Sequence, residues 1–216
     1  MFKNREEAAK ELATKLKDYK NKSNTIIIGL PRGGIPIAAI ISKEFNIPFD
    51  IVVTKKLKDP INSELAFGAI TQDGTPILDY KIIQMYQIKQ DYIQKEIKNE
   101  FQEIQRRLKK YRKNKPPLNV KNKIVIIVDD GIATGATMKA AIETIRKQSP
   151  SKIIIAIPVA PTEVIDELKN KVDKIICIKQ SANFFAVGQF YKQFPQLEDV
   201  EILKILKNFK ADNQKG

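Results

Sequence analysis

The sequence predicts an α/β fold with a mainly parallel central sheet and helices on both of its faces. Three apolar runs carry this prediction, because their residues suit strands that are buried on both faces. These runs are residues 25–30 (TIIIGL), 124–128 (IVIIV) and 152–158 (KIIIAIP). Each is followed by a turn segment and then by an apolar pattern of helical spacing. Such alternation implies right-handed crossovers between parallel strands.

The remaining elements fit the same architecture. Residues 4–20 place alanine and leucine at helical spacing behind Asn4, a residue that favours helix starts, so we expect this helix to pack on the core without a catalytic role. Two shorter apolar runs predict further strands, and four more segments predict helices. The strands are residues 50–54 and 175–178, and the helices are residues 35–45, 138–147, 161–169 and 198–209.

Two features depart from simple alternation. Residues 66–71 and 75–78 flank a Gln-Asp-Gly turn and predict a β-hairpin, with Glu64 just before it as a ligand or only a hairpin charge. Residues 80–117 then form an insertion that is strongly helical until Pro116-Pro117 stop it. Its basic end, Arg106–Lys113, is either a solvated or dimer-packing helix or an arm for nucleic acid.

Composition excludes several kinds of chemistry. The 216 residues include no histidine, so Ser–His and Cys–His catalysis and histidine-ligated zinc are ruled out. A single cysteine excludes an internal disulfide and leads us to expect a cytoplasmic protein, with no signal-peptide core at the N-terminus and no membrane span. The formal net charge of +13 suits polyanionic ligands, either nucleic acid or a phosphate-rich small molecule.

The most informative stretch is residues 124–137, IVIIVDDGIATGAT. Asp129 and Asp130 follow the strand directly, and adjacent carboxylates can accept hydrogen bonds from the two hydroxyls of a ribose. The small-residue loop 131–137 and the helix that follows suit a phosphate, through glycine backbone N–H groups, threonine hydroxyls and the positive helix end. The alternative is an ordinary strand, turn and helix with a solvated aspartate pair. A Walker-type phosphate loop is absent.

This stretch closely resembles the phosphoribosyl-pyrophosphate (PRPP) motif of the type I phosphoribosyltransferases, and in particular an uncharacterised group of predicted phosphoribosyltransferases. The resemblance implies one phosphoribosyltransferase-like domain over residues 1–216. It also implies that Asp129 and Asp130 hold the ribose. The loop that would bind the 5-phosphate consists of Gly131, Ile132, Ala133, Thr134, Gly135, Ala136 and Thr137.

The resemblance extends to the loop after residues 25–30. It places Arg32, Gly33 and Gly34 on the pyrophosphate of PRPP and predicts a cis peptide bond between Pro31 and Arg32. Lys56, at the end of the strand over residues 50–54, would also contact the pyrophosphate, whereas Lys55 is expected to point away. Taken alone, these motifs are equally compatible with a tight turn and solvated cations.

Residues 180–195 resemble the small hood that recognises the acceptor in this family. Phe185 would stack on the acceptor, Ala186 would offer backbone contacts, and Tyr191 is a further candidate. The similarity to the 6-oxopurine enzymes then ends, since Gln189 follows the hood glycine where those enzymes soon place an acid, and Ala133 replaces their acid in the phosphate loop. These aromatic residues could equally form hood core packing.

The implied reaction is displacement of pyrophosphate from C1 of PRPP by a nucleobase-like or other nitrogen nucleophile, with Mg²⁺ as cofactor. Asp129 and Asp130 would orient the ribose and approach the metal only indirectly, while Arg32 and Lys56 would stabilise the leaving group. Two alternatives remain: a PRPP- or nucleotide-responsive regulator that binds nucleic acid without turnover, and a ribose-phosphate-binding hydrolase. A homodimer is expected, with the helical insertion as one available surface.

Overall fold

A computed structural model describes residues 1–62, 65–113 and 116–212. Its main sheet has five parallel strands in the order β2-β1-β6-β7-β8, so the predicted parallel α/β fold is confirmed. The strands are β1 (Thr25–Gly29), β2 (Phe49–Ile51), β6 (Ile124–Val128), β7 (Lys152–Pro161) and β8 (Lys174–Ser181). β1 and β6 lie side by side, with Gly29 in register with Val128, so the loops after them meet at one edge.

A second, antiparallel sheet of three strands consists of β3 (Lys55–Lys58), β4 (Ala66–Ile70) and β5 (Pro76–Leu78). β4 and β5 form the predicted hairpin. The strand predicted over residues 50–54 is wrong in its bounds, because β2 ends at Ile51 and the chain leaves the main sheet before β3 begins. A separate strand was not predicted there, because three of its four residues are lysines.

Helices cover both faces of the main sheet, as predicted. Two of them, α1 (Arg5–Leu16) and α2 (Gly34–Phe45), share one apolar core with β1 and β6. On the opposite face, α5 (Ala136–Arg146) and α6 (Thr162–Lys169) pack against the other side chains of the same strands. Alternate residues of β6 enter the two cores, Ile126 on one side and Ile127 on the other, because side chains alternate along a strand.

The insertion contains two helices, α3 (Tyr80–Met85) and α4 (Gln90–Arg112). A third apolar core joins it to the antiparallel sheet and to the terminal helix α7 (Asp199–Asp212). Basic side chains of α4 take part in ion pairs within the molecule. Arg106 and Lys110 contact Asp199 at 3.3 and 2.8 Å, Arg107 contacts Glu103 at 2.7 Å, and Arg112 contacts Asp50 at 2.9 Å. This arrangement favours the packing interpretation of the basic run.

Asp199 is the point at which α7 is fixed to α4, since it also accepts a hydrogen bond from the buried Tyr111 hydroxyl. Burial alone would raise the pKa of Asp199, but hydrogen bonds from Lys110 and Tyr111 outweigh it and hold the pKa below its usual value. The stabilisation is therefore present at neutral pH and is lost as the pH falls through the acidic range.

We expect Asp199→Asn to lower the free energy of unfolding by about 1–3 kcal/mol, because it leaves Lys110 without its counter-ion. Urea unfolding at neutral pH measures the change, and the difference from wild type should shrink in acid. Asp166→Asn is the matched control, since Asp166 pairs only with Lys169 on an exposed helix surface. Equal losses in the two variants would contradict the assignment.

Candidate active site

The site lies where the loops after β1 and β6 meet. The backbone N–H of Leu30 donates to the Val128 carbonyl at 3.0 Å, which extends the pairing of the two strands to the loop. The Pro31–Arg32 peptide bond is cis, as predicted. The start of α2 and the end of β6 are in direct contact at this edge of the sheet.

Two glycines make this contact possible. A Cβ atom at Gly34 would lie 2.3 Å from the Val128 carbonyl oxygen, so only glycine allows α2 to begin this close to β6. A Cβ atom at Gly33 would lie 1.9 Å from Oδ2 of Asp130 and 2.4 Å from its Oδ1. The Asp130 carboxylate therefore rests directly on the proposed pyrophosphate loop.

The two acids differ in their surroundings. Asp130 is buried, and its Oδ2 accepts a hydrogen bond from Nε of Arg5 at 2.8 Å. Asp129 is half-buried, and its Oδ1 accepts from the Asp130 backbone N–H at 2.8 Å. Burial raises the pKa of both carboxyls. The negative charge of Asp130 raises the pKa of Asp129 further, whereas the Arg5 guanidinium opposes the rise at Asp130.

The loop 131–135 leads from the acids into α5. Gly131 is closely packed, because a Cβ atom there would lie 2.6 Å from Val187 and 2.7 Å from Val159. Gly135 has φ of +75° and directly precedes α5. The first N–H groups of a helix have no partner within the helix, so those at the start of α5 are available to a phosphate. Across the loop, the Thr54 hydroxyl donates to the Thr137 carbonyl at 3.1 Å.

The structure separates the two lysines after β2. Nζ of Lys55 pairs with Glu100 of α4 at 3.0 Å, so Lys55 points away from the site, as expected. Lys56 is the next residue of β3, and successive side chains of a strand leave opposite faces. The segment just before Lys56 is fixed beside the loop 131–137 by the Thr54 hydrogen bond. Glu64, the other candidate near this sheet, lies outside the described residues.

The hood differs from its predicted arrangement. Phe185, the residue expected to stack on an acceptor, is 91% exposed and packs on none of the hood's other rings, all of which lie in the described part of the chain. Both backbone groups of Ala186 bind Gln189. The Ala186 N–H donates to Oε1 of Gln189 at 3.1 Å, and the Gln189 backbone N–H donates to the Ala186 carbonyl at 3.2 Å. Tyr191 is only 5% exposed, and its hydroxyl donates to the Asp130 carbonyl at 2.6 Å. Tyr191 thus binds the backbone of Asp130 instead of facing an acceptor.

Arg5 belongs to the site, although the sequence pattern placed α1 on the core alone. α1 does pack on the core, through buried residues such as Leu12 and Leu16. The chain just before it pairs with the hood: the Phe2 N–H donates to the Phe190 carbonyl at 2.7 Å, and the Lys192 N–H donates to the Phe2 carbonyl at 2.8 Å. A lone arginine in a charged helix carries no sequence signal for such a role.

Comparison with known proteins identifies the family. The family model described as "Phosphoribosyl transferase domain" matches residues 2–194. The chain belongs to this family. Proteins of two Mycobacterium tuberculosis strains, CDC 1551 / Oshkosh and ATCC 25618 / H37Rv, named "Putative phosphoribosyl transferase", are 34% identical over 212 residues and cover 98% of this chain. The match spans 48% of those longer relatives.

Two solved structures have a similar fold. TT1426 from Thermus thermophilus is 29% identical, with a TM-score of 0.79 over 96% of this chain and 98% of its own. The AQ2163 protein from Aquifex aeolicus is 15% identical, with a TM-score of 0.52 over 82% of this chain and 74% of its own. This second likeness extends to the fold alone.

Two further observations concern the described part of this phosphoribosyl transferase domain. Within residues 1–62, 65–113 and 116–212, no helix is long and apolar enough to cross a membrane. Over the same ranges, His, Cys, Asp and Glu residues form no cluster of three or more that could hold a metal ion by themselves.

We expect Tyr191→Phe to weaken PRPP binding by roughly 5-fold to 10-fold, because it removes the hydrogen bond that fixes the Asp130 backbone, worth about 1 kcal/mol. The ring packing against Phe2 and Phe194 would remain. Calorimetric titration measures the affinity. Tyr19→Phe, on a half-buried ring outside the site, is the control. A much larger loss, with the fold intact, would indicate that the Tyr191 hydroxyl touches the ligand itself.

Proposed function

We propose that this chain is a phosphoribosyltransferase that uses PRPP and Mg²⁺ and displaces pyrophosphate from C1 of the ribose by a nitrogen nucleophile. One observation carries the proposal: the carboxylates of Asp129 and Asp130 lie between two glycine loops at the same edge of a parallel sheet, with the Asp130 carboxylate directly against Gly33. A ribose with a phosphate on one side and a pyrophosphate on the other is complementary to this arrangement, with its hydroxyls at the carboxylates and its anionic groups at the loops.

Each part of PRPP has a proposed partner. The loop 131–137 and the first N–H groups of α5 would bind the 5-phosphate. Asp129 and Asp130 would accept hydrogen bonds from the ribose hydroxyls. The pyrophosphate would lie on residues 32–34 and against Lys56, with backbone N–H groups and two cations as donors.

The donor set fits Mg²⁺ held together with its substrate. Arg5 occupies Oδ2 of Asp130, and the Asp130 N–H occupies Oδ1 of Asp129. Since one oxygen of each carboxylate is already taken by a donor of the chain, the pair suits indirect contact with a hydrated cation better than a closed protein cage. When bound, Mg²⁺ would supply positive charge to the pyrophosphate oxygens as the bond to C1 breaks.

The residues of the chain would then act mainly on the leaving group. As the bond from C1 to oxygen breaks, negative charge grows on the pyrophosphate, and Arg32 and Lys56 would stabilise it. Nη1 of Arg32 lies 3.5 Å from Oε2 of Glu198, a long contact, and the Glu198 side chain is 69% exposed. That contact can yield to a phosphate at low cost. The acceptor must be nucleophilic already or lose its proton to water.

The remaining features are consistent with a cytoplasmic enzyme, which we propose to be a homodimer. Tyr80 and Met85 of the insertion are 73% and 74% exposed and offer an apolar contact surface. The internal ion pairs of α4 count against the nucleic-acid regulator, because Arg106, Lys110 and Arg112 are already paired with acids.

Calorimetric titration of PRPP into the protein, with and without Mg²⁺, tests the proposal. We expect binding that depends on Mg²⁺, followed by pyrophosphate release when a panel of nitrogen heterocycles and amines is added. Release of inorganic phosphate would favour the hydrolase instead. Absence of PRPP binding, together with salt-dependent binding of nucleic acid, would overturn the transferase in favour of the regulator.

A further inference from the structure

The guanidinium of Arg5 is held on three sides at the edge of the site. Its Nε donates to Oδ2 of Asp130 at 2.8 Å, and its Nη1 donates to the Pro195 carbonyl at 2.9 Å. Its central carbon lies 3.9 Å from the centre of the Phe194 ring, within the range of a cation–π contact. Only 12% of the Arg5 side chain is exposed. A solvated surface arginine would have none of these constraints.

The backbone that carries Arg5 is fixed as well. Arg5 is the first residue of α1, whose start is capped by the Asn4 side chain accepting from the Glu7 N–H at 3.0 Å. One residue earlier, the Lys3 carbonyl accepts from the Gln193 N–H of the hood at 2.9 Å. The helix therefore presents Arg5 to the hood and to Asp130 from a rigid support.

Asp130 is thereby fixed at both ends. The Tyr191 hydroxyl holds its carbonyl oxygen, Arg5 holds Oδ2, and Gly33 leaves the carboxylate just enough room. Without Arg5, the side chain would be free to rotate about its Cα–Cβ bond into the cavity of about 350 Å³ that Arg5, Arg32 and Asp130 line together. Oδ1 of Asp130 would then lose its fixed direction.

We propose that Arg5 is a positioning residue, which holds the Asp130 carboxylate in the orientation that receives the ribose hydroxyls. The N-terminal segment, through Arg5, is then part of the ligand-binding site. The inference rests on the proposed function, because it needs PRPP as the ligand. Its competitor is a general charge effect, in which Arg5 merely attracts anions to the cavity.

The two explanations differ in which part of the ligand they affect. PRPP and ribose 5-phosphate both contain the ribose, whereas inorganic pyrophosphate does not. A positioning role acts through Asp130 and therefore affects only the ligands with a ribose. A charge effect weakens the binding of all three, and that of pyrophosphate at least as much as that of ribose 5-phosphate, because pyrophosphate carries the higher negative charge.

The experiment titrates these three ligands, each with Mg²⁺, into wild type, Arg5→Gln and Arg5→Lys. Lys10→Gln is the matched control: it removes the same charge from the same helix, but Lys10 is 66% exposed and pairs with Glu6 on the helix surface. Thermal unfolding confirms that every variant is folded. A second set of titrations places Arg5→Gln in an Asp130→Asn background.

We expect Arg5→Gln to weaken PRPP and ribose 5-phosphate by about 10-fold to 100-fold, the range for one lost charge-assisted hydrogen bond. Pyrophosphate affinity should change no more than in Lys10→Gln, and Arg5→Lys should recover part of the loss. In the Asp130→Asn background, Arg5→Gln should add nothing.

Equal weakening of pyrophosphate, or additive losses in the Asp130→Asn background, would overturn the positioning role while leaving the transferase intact. Failure of wild type to bind any of the three ligands would instead overturn the proposed function, and the role of Arg5 with it.

Discussion

Replacement of both Asp129 and Asp130 by asparagine is expected to abolish measurable PRPP binding while the protein stays folded. Each carboxylate would accept charge-assisted hydrogen bonds from ribose hydroxyls, worth roughly 1.5–3 kcal/mol apiece, so affinity should fall by about 10²-fold to 10⁴-fold. The fold should tolerate the change, because burial raises the pKa of both carboxyls and neutral amides remove the mutual repulsion. Loss of the counter-ion of Arg5 acts in the opposite direction and lowers the stability of the fold.

Calorimetric titration and thermal unfolding of the same preparations separate these effects. The matched control is Asp18→Asn/Glu44→Gln, which removes the same two charges near the end of α1 and of α2 that lies away from the site; both residues are exposed. The control should bind PRPP as wild type does. If the Asp129→Asn/Asp130→Asn protein keeps wild-type affinity, the two acids do not hold the ribose.

The second large effect is expected from Gly33→Ala. The new Cβ atom would lie 1.9 Å from Oδ2 of Asp130, so the carboxylate must move by well over an ångström and leave Arg5. The backbone itself accepts alanine, since φ of Gly33 is −65°. Affinity for PRPP should therefore fall by about 100-fold or more, as misplacement of about 1 Å at such a site can cause, whereas stability should fall only modestly.

Alanine substitutions at two other glycines provide the comparison for this prediction. Gly34→Ala would meet the Val128 carbonyl oxygen at 2.3 Å, and strand backbone cannot move aside, so this variant should lose stability first. Gly188→Ala would meet the Phe194 ring at 3.1 Å, a side chain that can give way, and is the milder comparison within the hood. Titration and unfolding of all three variants give the comparison. Unchanged PRPP affinity in a folded Gly33→Ala protein would show that the Asp130 position is unimportant.

Local sequence was sufficient for the features that are themselves local. The bounds of β6, the glycine loops and the hairpin all depend on neighbouring residues, whose apolar runs and turn chemistry leave few alternatives. The prediction of the cis bond between Pro31 and Arg32 rests on the resemblance to the family and not on local chemistry. β3 escaped prediction because its Lys-Lys-Leu-Lys run has one apolar residue, Leu57, which is buried under the insertion that follows it.

The features that sequence could not supply connect distant parts of the chain. The Arg5–Asp130 contact joins residues 125 positions apart, and the Tyr191–Asp130 contact joins residues 61 apart. Nothing in either neighbourhood distinguishes Arg5 from a solvated cation or Tyr191 from a ring facing the acceptor. Only the pairing of the N-terminal segment with the hood brings these side chains to the aspartate.

The backbone pairing of residues 2–3 with residues 190–193 also has a consequence for truncated forms of this domain. A chain truncated by its first five residues would retain both glycine loops, both aspartates and the whole strand, loop and helix signature. It would nevertheless expose the flank of the hood and leave the Asp130 carboxylate without its counter-ion. The strand, loop and helix signature is therefore shorter than the part of the chain that holds the Asp130 carboxylate in place.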